Sequence, residues 1–430
     1  MKENIIQKGK KIPTSIEKSA KTEINKTDQG RCPYFKKCGG CKYINLTYED
    51  QLQKKKEIVS KALKDIADSQ KINIEEIVGC ESPMYYRNKV HSVFTRNGSG
   101  KIIRGIYREE SHKVVDVKGC FLEDEKADMI IEEVKRLLPS FKYRVFDENT
   151  GTGWLRHVLV RCGVNHRTAH LIEKKYMLVL VTSSVPFPGK NNFVKAIRDK
   201  FPEITTIVQN INDKRTSMVL GDRNIICYGK GYIEDELLGL KFRISPNSFY
   251  QVNPLQTEKL YSKAIELAAP QKEDLVIDAY CGTGTIGSCM AKLSGEVFGI
   301  ELNPDAVKDA ISNAKVNEIK NIRFINEDAT KWMINYSATL KVITDKKEKA
   351  GKRPDLLIMD PPRSGSTPEF INAAANLNIK RIVYVSCDPV TLARDLKLFI
   401  KRGYSLKTIA PFDMFPWTEH IECVTLLIHK

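Results

Sequence analysis

The chain has 430 residues, 42% of them hydrophobic, and a formal net charge of +16. That length predicts two or three domains with ordinary apolar cores; no apolar run reaches the ~18 residues of a spanning helix, and the charged N-terminus has no apolar signal region, so a cytoplasmic protein, free of membrane and monomeric, is expected. The positive balance favours a polyanionic partner, and eleven Cys in a chain without a secretory signal argue against a disulfide framework and for metal ligation or catalysis.

Residues 1–31 are polar and Lys-rich and read as a disordered basic tail. Cys32, Cys38 and Cys41 follow with the spacing C-x5-C-x2-C, and Gly39-Gly40 permits a tight turn between them. Three Cys within ten residues indicate a metal site; zinc and an iron–sulfur cluster both remain open on spacing alone. Residues 47–66 predict one helix with Leu52, Ile58, Val59, Leu63 and Ile66 on a shared face, able to pack on a later domain. Strands are expected at 90–95, 102–107, 114–117, 158–164, 177–182 and 204–211, and helices at 123–138 and 192–201. This mixture predicts an α+β region over 32–247. Residues 341–353 form a Lys-rich insert expected to be a surface loop.

From Asp274 onward strand and helix alternate, which predicts a doubly wound, mostly parallel α/β sheet; the domain is placed at 248–430. The strand at 275–278 ends in Asp278 and runs into the turn Ala279-Tyr280-Cys281-Gly282-Thr283-Gly284-Thr285. A second strand ends in Glu301, 23 residues after Asp278, where an acidic group can grip ribose hydroxyls. The phosphate fingerprint G-x-G-x-x-G is absent, so an adenosine ligand without phosphates, such as S-adenosylmethionine, fits better than a dinucleotide. Asp328 follows a third strand, where it can reach an adenine or cap a helix. Two further rim loops, Asp360-Pro361-Pro362-Arg363 and Ser386-Cys387-Asp388-Pro389, each follow an apolar strand. Ligands bind at that rim, and a lone Cys there suits a nucleophile better than a packing residue.

These residues resemble the bacterial RNA uracil-C5-methyltransferases, which form 5-methyluridine in transfer or ribosomal RNA. Ser248-Phe249-Tyr250-Gln251-Val252-Asn253 is similar to the motif before that family's catalytic core, and Tyr86-Arg87-Asn88-Lys89 also looks familial. The resemblance implies that Gln251, Tyr280, Glu301 and Asp360 bind the methyl donor, that Cys387 is the nucleophile, and that Glu422 in His420-Ile421-Glu422 is the general base. It implies that Cys32, Cys38, Cys41 and Cys120 hold a 4Fe–4S cluster, which the spacing left undecided. It also implies a Rossmann-like methyltransferase domain preceded by an RNA-binding domain, acting on ribosomal RNA in preference to tRNA. Only 31 residues precede Cys32, too few for the family's N-terminal β-barrel (TRAM) domain, so a member without it is expected. Phe249 and Tyr250 are candidates to stack on an extruded base, and His420 is a partial substitute for the base. Two other readings stand beside this one. An RNA cytosine-C5-methyltransferase usually has a Cys after the Pro of its motif-IV loop, where this chain has Asp360-Pro361-Pro362-Arg363. An iron–sulfur RNA-binding protein with an inactive methyltransferase fold would not need Cys387 and Glu422.

Overall fold

The computed structural model describes residues 32–168, 171–214, 218–345 and 352–430; the tail expected at 1–31 lies outside them. Within the cysteine-rich segment is a single helical turn, α1 (Phe35–Cys38), followed by the long helix α2 (Tyr48–Gln70). Thr47 caps α2 by accepting from the Asp50 N–H, and Glu49 and Asp50 lie in the first turn, where the helix dipole favours negative charge. The buried stripe of α2 is Gln51, Lys55, Val59, Leu63, Ile66 and Ala67. Apolar periodicity locates its lower half, but the stripe continues toward the N-terminus through two polar residues.

Next come β1 (Lys89–Arg96), β2 (Ile102–Tyr107), β3 (Val114–Asp116), α3 (Glu125–Leu137), β4 (Leu155–Thr168), β5 (Leu171–Thr182), α4 (Lys190–Lys200), β6 (Ile204–Ile211) and β7 (Arg223–Tyr228). Their sheet has the order β3-β2-β1-β4-β5-β6-β7. Only β5 and β6 pair in parallel, and α4 is the crossover such a pair requires. All the strands and helices expected before residue 212 are present. Helices α3 and α4 cover one face around Ile130, Val134, Phe193 and Ile197. The opposite face, with Leu159, Met177 and Val179, meets the hairpin β8 (Ile233–Leu237) and β9 (Leu240–Ile244). That core continues through Phe242 and Tyr250 into the catalytic half.

The catalytic half runs α5 (Pro254–Ala268), β10 (Leu275–Ala279), α6 (Thr285–Ala291), β11 (Glu296–Glu301), α7 (Pro304–Val316), β12 (Ile322–Asn326), α8 (Ala329–Asp345), β13 (Leu356–Met359), α9 (Pro368–Asn376), β14 (Arg381–Ser386), α10 (Pro389–Lys401), β15 (Tyr404–Phe412) and β16 (Glu422–His429). The expected surface loop at 341–353 is helical as far as Asp345, and residues 346–351 lie outside the described residues. The sheet order is β12-β11-β10-β13-β14-β16-β15, parallel from β12 to β14, with β16 antiparallel to both its neighbours. Both faces are covered. Val276, Ile358 and Val383 share a core with α5 and α6; Ile277, Leu357 and Ile382 share one with α2, α8, α9 and α10. Burial on both faces is why these strands read as unbroken apolar runs. Each fully buried Leu or Ile of this kind is worth roughly 1.5–3 kcal/mol relative to exposure. The chain leaves β10 toward β11 and β12, then returns to β13 on the other side. That reversal opens a crevice at the carboxyl ends of β10 and β13. Among the described residues no helix is long and apolar enough to cross a membrane.

Candidate active site

The crevice is a cleft of about 440 Å³, mouth included, walled by Gln251, Tyr280, Asp278, Asp360, Tyr261 and Phe249 among others. Asp278 is buried at the end of β10, and its Oδ2 accepts from the Gly287 N–H at 2.8 Å. A Cβ on Gly287 would lie 2.6 Å from that oxygen, so glycine is what lets α6 approach the carboxyl. Burial, reinforced by the nearby Asp360 and Glu301 carboxyls, pushes Asp278 up to about 8, against the opposing Gly287 hydrogen bond. Tyr280 takes a left-handed backbone (φ 65°), and its hydroxyl lies 3.2 Å from Ser366 Oγ. Glu301 meets the cleft through the turn: Oε2 accepts from the Gly282 N–H (3.0 Å) and Oε1 from the Asn303 N–H (2.7 Å). Each oxygen keeps a lone pair for a ligand. Asp328 caps α8, its Oδ1 accepting from the Lys331 N–H at 3.0 Å, and its charge is felt at Tyr280. Gln251 is held through its backbone, whose carbonyl accepts from Asn88 Nδ2 at 3.2 Å. Of the two aromatic candidates, Tyr250 is buried beside Phe242 and packs; Phe249 is 67% exposed on the cleft wall.

At the next strands the second half of the site assembles. Cys387 is half-buried just past β14, and Asp388 caps α10 with Oδ1 accepting from Val390 N–H (2.8 Å) and Thr391 N–H (2.9 Å). Strand β16 runs antiparallel to β14 with Cys423 opposite Ser386. The same register carries Glu422 to the side of Cys387. Glu422 is 4% exposed, and its Oε2 has no hydrogen-bond partner. A buried carboxyl oxygen without a partner carries a desolvation cost. Burial, then Asp360, raises Glu422 well above the carboxylate range, while Arg363 opposes. Burial alone takes Asp360 to about 7. The Cys387 thiol is pushed to about 12 by burial, then by Glu422 and Asp360, again against Arg363. A thiol, two carboxyls and one guanidinium therefore share the end of the crevice, and the resting thiol keeps its proton.

Arg363 Nη2 lies 3.1 Å from His420 Nε2. Since Arg only donates, Nε2 is the acceptor and His420 is neutral, as burial also favours. His420 sits in the loop before β16, with this nitrogen engaged by Arg363. Arg363 itself carried no role in the sequence reading. Its signal was only its place after two prolines.

The four candidate metal ligands are free thiols of intermediate burial. Cys32, Cys41 and Cys120 pack against Ile44, Tyr86, Leu122 and Trp417. Burial raises Cys41 and Cys120 to about 12 each; Arg87 opposes this while neighbouring thiols add to it, so the sulfurs feel one another. Gly39 makes the turn at φ 72°, and Cys38 Sγ accepts from the Gly40 N–H at 3.4 Å. Among the described residues no three His, Cys, Asp or Glu side chains converge as ligands of an ion.

A family model described as tRNA (uracil-5-)-methyltransferase matches residues 161–430, the stretch that holds the cleft, Cys387 and Glu422. The chain belongs to this family. An uncharacterized RNA methyltransferase of Oceanobacillus iheyensis is 39% identical over 91% of this chain and 82% of its own length. One of Clostridium acetobutylicum is 38% identical over 98% of this chain and 90% of its own. The crystal structure of the Pyrococcus abyssi tRNA (uracil-54, C5)-methyltransferase in complex with S-adenosyl-L-homocysteine superposes with a TM-score of 0.72. It is 27% identical over 91% of this chain and 86% of that one. The family's reaction, S-adenosylmethionine-dependent methylation of RNA uracil at carbon 5, is thus this chain's class of activity.

Proposed function

We propose that the protein methylates carbon 5 of one uridine in a structured RNA through a covalent bond between Cys387 and carbon 6. The observation that carries this is the proximity of Cys387 and Glu422, one residue beyond the Ser386–Cys423 register pair of β14 and β16, beside a cleft that ends at Asp360. Gln251, Tyr280, Glu301, Asp328 and Asp360 are assigned to the donor. The residues fit it: burial holds the Asp278 and Asp360 carboxyls of the cleft above the ordinary carboxylate range, and an adenosine sulfonium supplies the cation they lack. When bound, S-adenosylmethionine supplies an electrophilic methyl group.

Carbon 5 of uracil is a poor nucleophile. Asp360, ionised by the bound sulfonium, takes the proton of Cys387, which leaves Glu422 free as the later base, and the sulfur adds to carbon 6. The carbon 5–carbon 6 π pair shifts to the carbon-4 oxygen, making an enolate. Carbon 5 then takes the methyl group, and the bond's electron pair stays with the donor sulfur. Glu422 removes the proton from carbon 5, that C–H pair re-forms the double bond, and the carbon 6–sulfur pair leaves with Cys387. Arg363 stabilises the thiolate and the ionised carboxyls nearby. Phe249, exposed on the cleft wall, is assigned to stacking on the extruded base.

The carboxyls set a pH dependence. In the unfolded chain Asp278 ionises near its ordinary value of 3.8, and in the empty folded protein at about 8. Between those values the native state holds more protons, so stability falls as pH rises through this window. A bound sulfonium favours the ionised forms of Asp278 and Asp360, so donor binding releases protons. Donor affinity should rise several-fold per unit from pH 6 to pH 8 and level off above. S-adenosylhomocysteine, without the charge, should show a flatter profile. Titration calorimetry in buffers of different ionisation enthalpy reads both; equal slopes for the two ligands would contradict the assignment.

For the four cysteines we propose a 4Fe–4S cluster. They supply four thiols, three of them around one aromatic patch, with a glycine turn beside Cys38. A bound cluster supplies the positive charge that deprotonates such thiols. The cluster joins residues 32–41 to Cys120 as a structural staple. Anaerobically purified protein should be brown with about four iron atoms per chain and should bleach in air. Cys120→Ser should lose iron and lower the melting temperature, because a link between distant segments is removed. Stoichiometric zinc without iron would overturn this.

The net charge of +16 and the α+β region before residue 248 are assigned to gripping RNA. Ribosomal RNA is the first target to assay and tRNA the second. Mass-spectrometric mapping of RNA from a deletion strain tests the function: one 5-methyluridine should vanish, and its position names the substrate. An unchanged RNA would refute the proposal.

A further inference from the structure

Glu422 is presented by β16, and β16 is entered from the loop 413–421, whose Met414, Trp417 and Ile421 are buried in the surrounding cores. Helix α2 adds a polar hold. Lys55 is completely buried, and its ammonium lies 2.5 Å from Asp413 Oδ1, itself completely buried. The same ammonium donates to the carbonyls of Phe415 (3.0 Å) and His420 (2.9 Å). One turn earlier, Gln51 Nε2 donates to Asp413 Oδ2 (3.2 Å), and Gln51 Oε1 accepts from the Trp417 N–H (2.7 Å). Tyr48 donates to Asp413 Oδ2 at 2.7 Å. Three side chains on one face of α2 thus bind the loop at its first residue, its middle and its last turn. Burying an ammonium is costly unless its partners are held, and apolar packing already fastens this loop, so the ion pair is not needed merely to attach it. It is a fitting way to fix a backbone two residues from a base.

We infer that Lys55 is a positioning residue for Glu422: through the Asp413 ion pair and the His420 carbonyl, it holds the loop so that the Glu422 carboxyl faces carbon 5 of the adduct. This rests on reading Glu422 as the base. Through Trp417 the loop also joins the cluster of Ile44, Tyr86 and Leu122 on which Cys32, Cys41 and Cys120 pack, so the cysteine region and α2 grip it from two sides.

The test uses the full-length protein with Lys55→Met and Asp413→Leu combined, because removing one partner alone leaves a buried charge unpaired. Uncoupled from folding, the two apolar side chains remove the hold while filling similar space. Adduct formation, methyl transfer and release of methylated RNA are followed separately with radiolabelled donor, beside wild type and Glu422→Gln. We expect donor KM to change less than twofold, methyl transfer to stay within about threefold, and release to slow at least tenfold, so that a labelled Cys387–RNA adduct accumulates. If the double variant fails to fold, Gln51→Leu is read in its place, with the same split at smaller size. Release at the wild-type rate, or all steps slowed alike, overturns the role of Lys55 while Glu422→Gln still stalls. If Glu422→Gln itself releases normally, the base assignment fails and this inference with it.

Discussion

Cys387→Ala is expected to lower methylation by on the order of 10⁴-fold or more, while donor affinity stays within about twofold of wild type. The reason is spatial. Cys387 lies past β14 beside Glu422, whereas the donor cleft is walled by residues of the β10 turn and the Gln251 segment. Without the sulfur, carbon 5 never gains the electron density to attack a methyl group. Steady-state methylation and donor titration on one preparation separate the two effects. Turnover near wild type would remove Cys387 from the mechanism. Donor binding lost together with turnover would instead place it in the cleft.

Glu422→Gln is expected to stop the reaction after one methyl transfer. The substitution keeps the shape and the buried position but removes the proton acceptor. Addition of the thiol and transfer of the methyl do not use Glu422; elimination does. Release should slow by roughly 10²–10⁴-fold, the usual share of a general base. On a denaturing gel a slower band should carry label from the donor, and it should disappear when Cys387→Ala is added. With His420 Nε2 engaged by Arg363, Asp360 is the remaining neighbouring carboxyl, and rescue through it should be partial. An adduct without label would show that the base acts before methyl transfer. Normal release would make Glu422 a structural carboxyl.

Much of this site was legible in the residues. Strands β10, β13 and β14 are buried on both faces, so they stand out as apolar runs, and their loops carry Asp360 and Cys387 directly after them. Glu301 and Asp328 could be placed by strand ends, and helix capping was one of the two roles open to Asp328; the hold of Glu301 on the Gly282 N–H was not legible. The orientation of Phe249 and Tyr250 was not legible, because neighbours in a loop have no fixed period to tell which one faces the core. Lys55 was the least visible. A hydrophobic-period reading treats Lys as solvated, and only its acceptors, some 360 residues later in the chain, explain why it is buried. Arg363 was hidden for the same reason, since its partner His420 is 57 residues away.

The most direct measurement is nucleoside analysis of an unmodified RNA transcript incubated with the purified protein and a donor whose methyl carries deuterium. Digestion and mass spectrometry should reveal labelled 5-methyluridine at one position, and none with Cys387→Ala. Labelled 5-methylcytidine would contradict the choice of base, and an unlabelled RNA from a protein that binds the donor would contradict the reaction itself.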